Sequence, residues 1–193
     1  MIARSTFDNP TTVILGTSPA IDTWNFNRGA SVKSLPQMEA ATTATPRAET
    51  VLYDPEAWPF TPTSEQLDPV GASRTAQEIA TSAHTSLIAA PALDLMKVLY
   101  PGMAATTAYI SKDMPGQLAR NLSALDIQAQ SLEASPASYA RFVRAAVAEA
   151  HAINPSVRIY AGLSTNPDGK TVTSQELYQD IQATSADVYG YWL

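Results

Sequence analysis

The stretch TVLYDPEAWPFTPTSEQLDPVGASRTAQEIATSAHTSLIAA, residues 50–90, predicts a strand, a helix and a second strand. Its two ends, TVLYD and SLIAA, are short apolar runs, which are typical of strands covered on both faces in a parallel sheet. Between them, Asp68 and Pro69 match the N-cap and the first turn of a helix. The stretch therefore predicts one β–α–β unit.

The same alternation runs along the rest of the chain. Six strands are predicted, over residues 12–17, 50–54, 86–90, 124–129, 157–163 and 187–192. Helices are predicted over residues 34–42, 68–83, 115–122, 136–153 and 174–183. Repeated strand–helix units indicate a parallel α/β fold, either a (β/α) barrel or an open doubly wound sheet.

A complete eight-stranded barrel usually takes ~250 residues, and this chain has 193. We therefore expect one α/β domain over residues 1–193, a TIM-barrel-like parallel (β/α) barrel that is reduced or incomplete, with about six units. The chain ends on the apolar run YGYWL. An exposed strand edge favours a further segment of chain or a partner, such as a second copy in a homo-oligomer.

Composition narrows the class of function. With 18 acidic and 12 scattered basic residues and a net charge of −6, the chain is a poor match to nucleic acid or to a membrane surface. It has no cysteine, so disulfides, thiolate nucleophiles and zinc–thiolate sites are excluded. We expect a small-molecule or glycan substrate. The glycine-rich dinucleotide fingerprint is absent, and we expect no cofactor.

Location is left open by the sequence. No apolar run reaches the ~18 residues of a transmembrane helix, and the first residues lack the apolar core of a signal peptide. The protein is therefore either cytoplasmic or a mature secreted form. Its 14 prolines, together with few lysines and abundant alanine, threonine and serine, slightly favour secretion.

Carboxylates follow the strand at residues 50–54, where sites gather in parallel α/β folds. Asp54 and Glu56 stand two residues apart and so project to the same side of an extended chain. Two close carboxylates repel, and one is expected to hold a proton near neutral pH, as a general acid does. Trp58 is a candidate for stacking on a sugar. The alternative is that Asp54 caps a loop turn and Glu56 is solvated.

A pair of amides ends another predicted strand. In DIQAQ, Gln128 and Gln130 share one side with Asp126, and amides bind hydroxyl or acetamido groups. The alternative is a polar layer inside a barrel. The remaining substrate-binding candidates at strand ends are Asp94, Asn166, Tyr191 and Trp192.

These candidates have alternatives too. Asp94 fits a helix N-cap equally well, and Tyr191 or Trp192 fits core filling. Glu133 is either a second acid or part of a turn. Convergence of these acids on a divalent ion is not supported by their spacing, so no metal is predicted.

The order VLYDPEAW, LIAAPALDL, DIQAQ, YAGLSTNP and VYGYWL resembles a family of mostly exported bacterial (β/α)-barrel-like proteins without assigned activity. It is also distantly similar to the second half of the family 18 glycoside hydrolases, which are chitinase-like. That likeness implies that Glu56 is the proton donor and that Asp54 positions an acetamido group. It also implies that Gln128 or Gln130 holds the sugar, over a floor formed by Trp192. Such enzymes use the substrate's own acetamido group as the nucleophile.

Three functions remain open. The first is a glycoside hydrolase-like enzyme acting on an amino-sugar glycan. The second is a cyclase or isomerase of an apolar metabolite, favoured by aromatic residues near strand ends: Trp24, Phe26, Trp58, Phe60, Tyr100, Tyr191 and Trp192. The third is a non-catalytic glycan-binding barrel. It is favoured because Glu49 and Leu52 stand where the family 18 run D-x-x-D-x-D-x-E has its first two aspartates.

Overall fold

A computed structural model describes residues 8–15, 23–44 and 48–193. Within these ranges seven strands form one parallel sheet, in which each strand pairs with the next along the chain. They are β1 Val13–Leu15, β2 Asn27–Val32, β3 Thr50–Tyr53, β4 Ser86–Ala89, β5 Ala124–Ile127, β6 Arg158–Gly162 and β7 Gly190–Trp192. The sheet curls into a half-barrel. The predicted α/β, barrel-like architecture is therefore confirmed, and the strand order is not that of a doubly wound sheet, which reverses at a switch point.

Helices occupy most of the connections. In the described part of the chain they are α1 Leu35–Thr43, α2 Thr63–Leu67, α3 Pro69–Ser82, α4 Leu95–Leu99, α5 Ala105–Ser111, α6 Met114–Ala119, α7 Pro136–Ile153 and α8 Ser174–Thr184. The predicted start of α3 is confirmed, because the Asp68 side chain accepts a hydrogen bond from the Gly71 N–H. Thr173 and Glu176 form a capping box at α8. None of the described helices is both long and apolar enough to cross a membrane.

The sequence prediction missed β2. Its residues, NRGASV, include no run of large apolar side chains, and only Val32 is fully buried. A β-carbon at Gly29 would lie 2.6 Å from Leu15 Cδ2 and 2.7 Å from Val13 Cγ1, so β1 side chains cover this position. The strand is hidden from a search for apolar runs because its neighbour supplies the apolar cover. Of the predicted strand at residues 12–17, residues 16 and 17 lie outside the described residues.

The core lies between the helices and one face of the sheet. Side chains alternate along each strand, so Val51 and Tyr53 of β3 and Leu125 and Ile127 of β5 pack against the helices. The intervening residues point to the opposite, concave face. On β5 and the residue that follows it these include Asp126 and then Gln128. The concave face therefore carries polar groups toward the carboxyl edge of the sheet.

Candidate active site

Asp54 lies at the carboxyl edge and is almost entirely buried, with 2% of its side chain exposed. Its carboxylate accepts hydrogen bonds from Lys33 Nζ and from Gln128 Nε2. Burial raises the pKa of Asp54, and the Lys33 ammonium and the Gln128 amide oppose that rise. Asp54 is thus an ion-paired group that holds three strand ends together.

Lys33 is the site residue that sequence reasoning missed. It follows β2 directly, and its Nζ also lies 3.6 Å from Glu56 Oε1 and 5.2 Å from the centroid of the Trp58 ring. The sequence did hold a signal for it. Ser34, with a proline two residues further on, starts α1, and in a β–α repeat a helix start implies a strand end just before it.

The loop after β3 is fixed by Thr61. Its hydroxyl donates to the Lys33 carbonyl at 2.9 Å and accepts from the Glu56 N–H and from Trp58 Nε1, both at 3.1 Å. The Trp58 ring is also in edge contact with Phe60 at 5.1 Å. Trp58 therefore packs beside Lys33 and is not among the described residues that line the cavity below.

Glu56 opens on a cavity of about 300 Å³ at the carboxyl edge of the sheet. The described lining residues are Glu56, Ala92, Leu93, Asp94, Lys97, Ala105, Thr106, Gln128, Gln130, Ser131 and Pro167. Burial, followed by the charge of Asp54, raises the pKa of Glu56. With 31% of its side chain exposed, Glu56 combines a raised pKa with access to the cavity.

The two predicted amides reach different places. Gln128 Nε2 donates to Asp54 and, at 2.7 Å, to the Ala90 carbonyl. The Gln130 amide lies over Gly162, where a β-carbon would come within 2.6 Å of it. Both line the cavity, and Asp126 lies on the same face of β5, one step further from the edge.

Asp126 is fully buried, and neither of its carboxylate oxygens has a hydrogen-bond partner among the described residues. Its burial, aided by the charge of Asp54, raises its pKa well above the ordinary range of a carboxyl. The proton it therefore holds makes it neutral at pH values where exposed aspartates are charged.

Asp94 and Glu133 lie in different surroundings. Asp94 lines the cavity; its Oδ1 accepts the Ala57 N–H at 3.1 Å, and it makes no capping hydrogen bond to α4. Glu133 is buried and accepts the N–H groups of Ser131 and Ser164 at 2.7 and 2.8 Å, so it braces two loops. Among the described residues no group of three or more acidic or histidine side chains is placed to hold a metal ion.

The other predicted binding residues are not among the described residues that line the cavity. Asn166 is exposed in the loop after β6. The Tyr191 hydroxyl donates to the Ile181 carbonyl at 3.0 Å, which ties it to α8 on the helix side. Trp192 pairs with Gly162 in register, on the face that carries the Gln130 amide.

Comparisons with protein-family models, with curated proteins and with solved structures found no significant match to this chain. A function must therefore be argued from the chemistry of the site itself.

Proposed function

We propose that the protein is a carbohydrate-active hydrolase on a reduced, TIM-barrel-like fold, in which Glu56 is the general acid that cleaves a glycosidic bond of an amino-sugar glycan. One observation carries the proposal: the Glu56 carboxyl opens on the cavity at the carboxyl edge, and its pKa is raised by burial and by Asp54. A raised pKa keeps the carboxyl protonated closer to neutral pH, which is what proton donation to a leaving oxygen requires.

The rest of the cavity suits a hydroxylated ligand. Gln128, Gln130, Ser131 and Thr106 offer amides and hydroxyls that both donate and accept hydrogen bonds. The volume of about 300 Å³ is at the lower end for small-ligand pockets. No aromatic side chain is among the described lining residues, which counts against the cyclase or isomerase of an apolar metabolite.

The test compares the wild type with Glu56→Gln on soluble N-acetylglucosamine oligomers and peptidoglycan fragments. Mass spectrometry follows cleavage, and calorimetry follows binding. We expect the variant to cleave at least ~100-fold more slowly with Kd changed by less than about threefold. Glu78→Gln, on the exposed side of α3, is the matched control. Undiminished cleavage by Glu56→Gln would show that another group supplies the proton.

A non-catalytic glycan-binding protein is the second candidate. It is favoured by the engagement of Asp54 with Lys33 and Gln128, because the family 18 likeness gives that residue a role on the substrate. The same experiment separates the two: binding without cleavage by the wild type supports the binding protein.

A further inference from the structure

Asp54 is not available to a substrate in the way the family 18 likeness implies. Its carboxylate is 2% exposed, is held by Lys33 and Gln128, and is not among the described residues lining the cavity. An acetamido N–H would have to displace one of these donors to reach it. Catalysis through the substrate's own acetamido group has no oriented partner here.

A different carboxylate does face the cavity. Asp94 comes after β4, the strand next to the one that precedes Glu56. Its Oδ1 accepts the Ala57 N–H, which fixes the side chain, and no described residue donates a hydrogen bond to its Oδ2. Lys97 lines the same cavity, but within the described chain it forms no ion pair with Asp94. Within the described part of the chain, one oxygen of Asp94 therefore accepts no hydrogen bond and can act on a ligand.

Asp94 and Glu56 are also close enough to interact electrically, since the charge of Asp94 contributes to the raised pKa of Glu56. Two carboxyl groups facing one sugar-sized cavity are typical of glycosidases that do not use the substrate's own acetamido group as the nucleophile. One must be protonated and the other ionised. Glu56, with the raised pKa, fits the acid, and Asp94, held by the Ala57 N–H at the edge of the same cavity, fits the base.

We infer that Asp94 is a second catalytic carboxylate, the general base that activates water, and that the substrate therefore needs no 2-acetamido group. This inference rests on the proposed function of Glu56. Glu56 gives its proton to the glycosidic oxygen, which leaves with the electron pair of the broken C–O bond. Asp94 takes a proton from water as the water oxygen bonds to the anomeric carbon. One water is consumed and two hydroxyl-bearing sugars form.

Residues that would hold the attacking water are present as well. Ser131 and Thr106 line the cavity with Asp94 and carry hydroxyl groups. A general base acting through water inverts the configuration at the anomeric carbon. Inversion is therefore the expected stereochemical outcome.

The experiment uses 4-nitrophenyl α- and β-glycosides of glucose and of N-acetylglucosamine with the wild type, Asp94→Asn, Asp94→Ala and Glu78→Gln. Asp94→Asn keeps an oxygen that can accept the Ala57 N–H but removes the base. If Asp94 is only structural, kcat/KM should fall little; if it is the catalytic base, kcat/KM should fall ~100-fold or more. Azide should restore turnover to Asp94→Ala and give a glycosyl azide of inverted configuration. Glu78→Gln should match the wild type.

The outcomes distinguish a failure of the inference about Asp94 from a failure of the proposed function of Glu56. Hydrolysis of both sugar series, with inversion seen by NMR and loss in Asp94→Asn, supports the inference. Hydrolysis of the 2-acetamido series alone, retention of configuration, or full activity in Asp94→Asn overturns the inference and leaves Glu56 as the acid. No hydrolysis of any glycoside overturns the proposed function and the inference together.

Discussion

Replacing Lys33 with methionine should destabilise the protein strongly, because it leaves the carboxylate of Asp54 buried without its cation. Loss of one partner of a buried ion pair costs about 3–5 kcal/mol. Lys33 is itself 25% exposed, and Gln128 still donates to Asp54, so we expect a value near the lower end, about 3 kcal/mol at pH 7. This is a large part of the ~5–15 kcal/mol that stabilises a typical domain.

The stability lost in Lys33→Met should be smaller at low pH than at high pH. Lys33 lowers the pKa of Asp54 against the effect of burial, so its removal lets the folded protein bind a proton on Asp54 at higher pH. The protonated carboxyl no longer needs the cation. The difference in free energy of unfolding between wild type and variant should therefore shrink as pH falls from 8 to 5.

Urea unfolding followed by circular dichroism, at several pH values, measures both effects. Lys97→Met is the matched control, because among the described ion pairs Lys97 has no carboxylate partner; it should change stability by less than about 0.5 kcal/mol. The double variant Lys33→Met/Asp54→Asn should recover at least half of the loss. A Lys33→Met protein as stable as the wild type, or strictly additive effects in the double variant, would refute the buried pair.

Two further predictions concern the concave face. Asp126→Asn should gain stability relative to the wild type as pH rises from about 4 to 8. Because the pKa of Asp126 is raised in the folded protein, its contribution to wild-type stability is complete at low pH and is lost as pH rises. Urea unfolding across this range measures how the free energy of unfolding of each protein changes with pH. A parallel slope in the two proteins would mean that Asp126 does not titrate in the buried state. Gly162→Ala should displace the Gln130 amide, which would lie 2.6 Å from the new β-carbon. We expect weaker glycan binding, measured by calorimetry, and a change in the free energy of unfolding of less than about 1 kcal/mol. Unchanged affinity would remove Gln130 from the binding site.

The fold followed from the sequence wherever a strand buries its own apolar side chains. TVLYD and SLIAA do so, and both form adjacent strands in the predicted direction. NRGASV does not, because Gly29 is covered by Val13 and Leu15 of the neighbouring strand. Its place in the sheet depends on residues 14 and 16 positions away, which periodicity along one segment does not report.

The site followed from the sequence only in part. The spacing of two residues predicted that Asp54 and Glu56 project to one side, and Lys33 Nζ contacts both carboxylates. Their surroundings nevertheless differ, because Asp54 is buried in an ion pair and Glu56 faces the cavity. The cation that pairs with Asp54 is the Lys33 ammonium, and Lys33 follows β2, the strand that the sequence did not predict. Neither the partner of Asp54 nor the group that holds Asp94 is close to it in sequence, since both contacts depend on the pairing of separate strands.

The most direct test of the proposed active site is a crystal structure of Glu56→Gln soaked with an uncleaved N-acetylglucosamine tetramer. The proposal predicts one sugar of the tetramer in the cavity between Asp94 and Gln130, with a glycosidic oxygen within ~2.6–3.2 Å of the side-chain amide at position 56. A tetramer bound at another surface, or in the cavity with every glycosidic oxygen beyond reach of that amide, would contradict it.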